Sequence, residues 1–137
     1  MPADRFAPDD PREWLNRARS NLIRAREGIR IPVIYLEDLC VDAQQAAEKA
    51  IKGVLISRNT PFPYVHDLAR LMSVLQQSGL QVPSEVLQAA RLTRFAVAHR
   101  YPGTTEEVTR AEFDEAVSIA TQVVEWAARL IAQAAHE

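Results

Sequence analysis

Prolines and glycines cut this chain into runs whose apolar residues recur every three to four positions, and that cutting confines it to helices. The breaks fall at Pro11, between Gly28 and Pro32, at Pro61 and Pro63, between Gly79 and Pro83, and at Pro102-Gly103. Proline has no N–H to give to a helix, and its ring clashes with the preceding turn, so these clusters stop one run and free the next. Ala, Leu, Glu, Gln and Arg fill the runs, and all are strong helix formers. No run alternates apolar and polar residues as a half-buried strand would.

The first helix is expected from Pro11 to about Gly28, with Asp10 as N-cap and Glu13 closing a capping box. Trp14, Ala18, Leu22 and Ala25 keep helical spacing along it, and residues 1–9 read as a loose arm. The second spans Val33 to Ser57, with Leu36, Cys40, Ala43, Ala47, Ala50, Val54 and Leu55 as its inward stripe. The third begins at His66 or Asp67 and runs to about Gln77, with Leu68, Leu71 and Leu75 inward. Ser84 is read as the cap of a fourth helix that continues to about Ala98. Thr109 and Glu112 form a second capping box that opens the last helix, which buries Phe113, Ala116, Ala120, Val123, Ala127, Leu130 and Ala134. The result is an all-α, up-and-down bundle of about five helices with a four-helix-bundle-like core. A single domain covers residues 1–137, without repeats. The alanine-rich faces of the two longest helices suit the core or a dimer seam.

Charge narrows the partners. The formal net charge is -2, so the chain as a whole does not attract nucleic acid, and any RNA contact needs a local basic patch. The single cysteine, Cys40, leaves no internal disulfide and fits a reducing compartment. The N-terminus carries no signal-like apolar core and no stretch reaches the roughly 18 apolar residues of a membrane span. A cytoplasmic protein without membrane contact is the expectation.

Three histidines, His66, His99 and His136, lie far apart, and no paired-cysteine or His-x-x-x-His spacing exists, so neither a metal nor a cofactor is expected. Glu48 and Lys52 are four apart in the favourable order for a helical ion pair, which by spacing alone reads as a solvated salt bridge. His66-Asp67 reads as a helix start, with Asp67 serving the helix dipole. Arg94, His99 and Tyr101, closed by Pro102, form the one group that suggests chemistry. Arginine is a permanent cation whose fork fits phosphate, and histidine exchanges protons near neutral pH. By spacing alone, however, His99 serves equally as a cap and Tyr101-Pro102 as a packing corner. On a straight helix residues five apart differ by about 140° in azimuth, so Arg94 and His99 point together only if the helix distorts.

Gln44, Gln45, Glu48, Lys49 and Lys52, then Phe62-Pro63, His66-Asp67-Leu68 and Arg100-Tyr101-Pro102, resemble in order and spacing the HEPN family of prokaryotic helical domains. The resemblance runs from about residue 12 to residue 131. It implies a helical bundle that forms a homodimer, encoded beside a minimal nucleotidyltransferase in a toxin–antitoxin pair. It further implies a metal-independent endoribonuclease marked by an arginine, a short spacer and a histidine, which Arg94 and His99 match. In that reading His99 is the general base or acid, Arg94 stabilises the phosphorane-like transition state, and Arg91 and Arg100 line the cleft. Glu48 and Lys52 support the site, and Tyr101 completes an Arg-x4-His-x-Tyr pattern in which the nucleotidyltransferase adds AMP to the tyrosine. Phe95 departs from the pattern, because active members often carry a polar residue after the arginine. The same resemblance implies one alternative: a non-catalytic, nucleotide-binding or accessory subunit of a nucleotidyltransferase.

Overall fold

The computed structural model describes residues 4–98 and 107–136. In chain order it forms α1 (Pro11–Gly28), α2 (Leu36–Ser57), α3 (Leu68–Gln77), α4 (Ser84–Leu87), a 3₁₀ segment (Gln88–Leu92), α5 (Arg94–Ala98) and α6 (Arg110–Ala134). The described residues contain no strand, and the expected all-α bundle is what forms.

Helix α2 is the axis of that bundle. It packs against α1, α3, α5, α6 and the 3₁₀ segment, while α1 and α6 also touch each other. Ala43, Ala46, Ala47 and Ala50 have no exposed surface, so this alanine face belongs to the core. Gly53 marks how closely the helices approach. A Cβ there would sit 3.2 Å from Ile131 Cδ1 on α6 and 3.3 Å from the Trp14 Cβ on α1. Leu68, Leu71 and Leu75 fasten α3 to the same core without any exposure. Each such side chain contributes roughly 1.5–3 kcal/mol by leaving water.

The helix ends show where local sequence decides and where packing does. At α6 the Thr109/Glu112 capping box forms in full, with Glu112 N donating to Thr109 Oγ1 at 3.1 Å and Thr109 N donating to Glu112 Oε1 at 3.0 Å. At α1 the Asp10 carboxylate caps Arg12 N at 2.9 Å, but the expected box does not close. Glu13 accepts instead from Phe6 N at 3.0 Å and from Arg17 Nε at 2.7 Å. The segment before α1, expected as a loose arm, is held down over residues 4–9: Trp14 Nε1 donates to Pro8 O and Asn16 Nδ2 to Asp4 O, both at 2.8 Å.

Helix α2 begins at Leu36, later than the expected Val33, because successive turns (Ile31 N to Gly28 O, Ile34 N to Ile31 O) occupy the preceding backbone. It stops at Ser57, before the two prolines. Asn59 takes the left-handed conformation at φ 52°, which asparagine tolerates, and Thr60 N closes back on Leu55 O at 2.9 Å.

The expected continuous fourth helix is a correction. Pro83, without a side-chain cap, precedes α4, and Ser84 Oγ bonds Glu85 Oε2 instead of capping. After Leu87 the chain tightens into the 3₁₀ segment and resumes as α5. Val86, Ala89, Leu92 and Phe95 are all buried, and they are spaced by three. In a 3₁₀ helix residues three apart eclipse, so this geometry keeps one apolar row against the core where 3.6 residues per turn would rotate it away. Thr93 fixes the junction, because its Oγ1 accepts from Leu68 N, an otherwise unpaired donor at the start of α3, at 3.1 Å.

Candidate functional site

Cys40, Gln44, Glu48 and Lys52 stand four apart and form one row along α2, pointing where α3 and the broken fourth helix cover it. Glu48 is the hub of this row. Its Oε1 accepts from Gln44 Nε2 at 2.8 Å, and its Oε2 accepts from Lys52 Nζ at 2.9 Å. The Glu48 and Lys52 side chains are only 5% and 9% exposed, so the pair read as solvated from its spacing is buried. A buried carboxylate needs a full set of donors, and a third one comes from outside the helix. His66 Nδ1 lies 2.9 Å from Glu48 Oε1 and 3.1 Å from Oε2. The carboxylate, already receiving the Lys52 ammonium, can only accept, so Nδ1 carries a proton and Nε2 is left outermost on a ring that is 59% exposed.

His66 reaches Glu48 because its neighbour takes over the cap of α3. Asp67 Oδ1 accepts from Ala69 N at 3.1 Å and Arg70 N at 3.4 Å, as its place before the helix suggests. His66 is therefore released from the helix start and turned onto α2.

Arg94 opens α5 directly after Thr93. Its guanidinium lies 4.5 Å over the Phe95 ring, and its Nη2 donates to Glu112 Oε2 at 3.2 Å. Phe95, the departure from the motif, is thus a buried platform beneath the arginine. Three residues earlier Arg91 pairs with Glu115 in the same manner, so two parallel ion pairs tie the broken helix to α6. A cavity of about 410 Å³ opens between them, floored by Leu92, Phe95, Ala116 and Ile119. The patch expected to be basic is therefore charge-balanced on the described residues. Glu112 is held below the usual carboxylate range, first by the Thr109 N–H, then by the Thr109 hydroxyl and Arg94. Burial pushes the Cys40 thiol up to about 12, against a smaller opposing pull from Arg94, which sets Arg94 beside the Cys40 end of the α2 row.

Of the residues singled out in the sequence, Arg91, Arg94, Glu48 and Lys52 are described, and all face the region between α2, α5 and α6 or the row behind it. His99, Arg100 and Tyr101 lie outside the described residues.

A profile of the HEPN domain matches residues 11–131. The chain belongs to the HEPN domain family. The crystal structure of ST0689, an archaeal HEPN homologue, superposes with a TM-score of 0.72 at 26% identity, covering 89% of this chain and 98% of that one. The crystal structure of TT1696 from Thermus thermophilus gives 0.75 at 29% identity, over 88% and 97% of the two chains. None of the curated proteins compared matches the chain. In this HEPN domain, no helix among the described residues is long and apolar enough to cross a membrane.

What sequence reasoning missed in the HEPN domain is His66. The available signal was Glu48 itself. A glutamate flanked by Gln44 and Lys52 one turn away on each side, on a helix otherwise full of buried alanines, is itself buried and needs a further donor.

Proposed function

We propose that this HEPN domain is an endoribonuclease that needs no metal and acts as the toxin of a pair whose antitoxin is a minimal nucleotidyltransferase. The observation that carries the reading is Arg94, exposed on a buried aromatic floor and followed by His99 after four residues. The substrate's 2′-hydroxyl attacks the adjacent phosphorus, the P–O5′ bond breaks, and His99 exchanges the proton while Arg94 neutralises the added charge on the phosphorane. A homodimer brings two such sites together across a twofold axis. Exposed Ile23, Ile31, Val33 and Tyr35 support it, because their apolar surface is otherwise left in water. Tyr101 is the residue to which the nucleotidyltransferase would attach AMP, placing charge and bulk at the substrate's door.

The balanced charges of Arg91 with Glu115 and Arg94 with Glu112 favour a second reading, an accessory subunit that binds the nucleotidyltransferase without cutting RNA. One experiment separates the two. Purified protein, free of its partner, is incubated with single-stranded RNA in EDTA, and the same chain is expressed alone in a growing host. Cleavage with growth arrest supports the nuclease; intact RNA and normal growth support the accessory subunit.

The ion pairs also set an expectation for affinity. Glu112→Gln keeps the oxygen that accepts from Thr109 N but removes the charge that holds Arg94. Freed, Arg94 takes one more phosphate, so RNA binding tightens and the slope of log K against log salt steepens by about 0.7. Fluorescence anisotropy across a salt series measures it. An unchanged slope means that Arg94 does not meet phosphate.

A further inference from the structure

The Glu48–His66 contact has the form of a proton-transfer group held in place. Glu48 is fixed from both sides along α2 by Gln44 and Lys52, and it receives the Nδ1 proton of a ring whose other face is in water. A carboxylate behind Nδ1 sets the tautomer, leaves the Nε2 lone pair outward and stabilises the imidazolium formed when Nε2 gains a proton. A purely structural histidine at this place would bury its ring or satisfy both nitrogens within the bundle; this one stays 59% exposed. It is also close to the arginine. Leu68 N is bonded to Thr93 Oγ1 at 3.1 Å, Thr93 directly precedes Arg94, and His66 is two residues from Leu68, a span of at most about 7 Å of chain. The charged groups around the ring are Glu48 and Lys52 behind it on α2 and Asp67 beside it at the α3 cap.

We infer that His66 is a second catalytic residue of this site: the general base that takes the 2′-hydroxyl proton, with Glu48 positioning it and Gln44 and Lys52 positioning Glu48. The inference rests on the nuclease reading and completes its proton balance within one chain. The proton of the 2′-hydroxyl passes to His66 Nε2 as O2′ bonds to phosphorus. The P–O5′ bond breaks, and the departing O5′ receives a proton from His99. The products are a 2′,3′-cyclic phosphate and a 5′-hydroxyl, and solvent resets both histidines.

The test uses the full chain and a labelled single-stranded RNA, comparing wild type with His66→Gln and His66→Ala. Glutamine keeps a donor for Glu48 but cannot accept the proton, so kcat falls about 10²–10⁴-fold with KM unchanged. The acid limb of the pH–rate profile, which reports the base, disappears. Added imidazole restores part of the His66→Ala rate, and the melting temperatures of both variants stay near wild type because the ring is exposed. His66→Gln cutting at the wild-type rate overturns the assignment and leaves the nuclease reading standing. So does a loss of rate that tracks a loss of melting temperature, with the acid limb intact and no rescue by imidazole, since that is the mark of a structural role. Wild-type protein that cuts no RNA overturns both readings together.

Discussion

Glu48→Ala lowers the free energy of unfolding by about 3–5 kcal/mol, the largest loss expected from any single change in the buried polar row. The substitution leaves the Lys52 ammonium buried, with its side chain 9% exposed, and removes its acceptor. Gln44 and His66 lose theirs at the same time. Against a total stability of about 5–15 kcal/mol for a domain of ordinary size, that is a substantial fraction. Removing both charges is a different matter. Glu48→Leu combined with Lys52→Met fills the space with apolar side chains and recovers most of the loss, because the desolvation penalty disappears with the attraction. Urea unfolding followed by circular dichroism checks both. A Glu48→Ala loss below about 1 kcal/mol, the range of exposed pairs, means that the row is solvated and its burial is wrong.

Arg94→Ala reverses that pattern. Its ion pair with Glu112 joins side chains that are 57% and 38% exposed, and exposed pairs contribute about 0–1 kcal/mol. The bundle therefore keeps its melting temperature while cleavage falls by about 10²–10³-fold, the loss seen when one preorganised donor to a developing charge is removed. The fall lies in kcat, because the charge that Arg94 meets is fully present only in the transition state. Arg94→Lys does not restore the rate, since a point charge cannot reproduce the planar fork lying over Phe95. Single-turnover cleavage of a labelled RNA is the measurement. A wild-type rate from Arg94→Ala removes this residue from the chemistry.

How much of this could be read in the sequence depends on the reach of each signal. The Thr109/Glu112 box needs only four consecutive residues, and it forms as written. The box expected at Asp10 and Glu13 fails because Phe6 and Arg17 offer Glu13 better donors, and no local rule ranks them. The broken fourth helix carried a legible sign, the three-residue spacing of Val86, Ala89, Leu92 and Phe95, hidden because no proline or glycine interrupts it. The Glu48–Lys52 pair was legible and its burial was not: spacing is the same on a wet face and a dry one, and only the packing of α3 and α5 onto α2 decides. Arg94 was named from its motif. Its carboxylate partner was out of reach, because the two are 18 residues apart and meet only when α6 folds back.

The division between the α2 row and the broken helix has an evolutionary consequence. Groups that hold Glu48 also hold the bundle, so selection for a folded chain alone is enough to retain them. Nothing in folding retains Arg94, whose partners are in water on both sides of a weak pair. A lineage that ceased to need RNA cleavage would drift first at Arg94 and keep the row beneath it, so this architecture is built to outlive its chemistry.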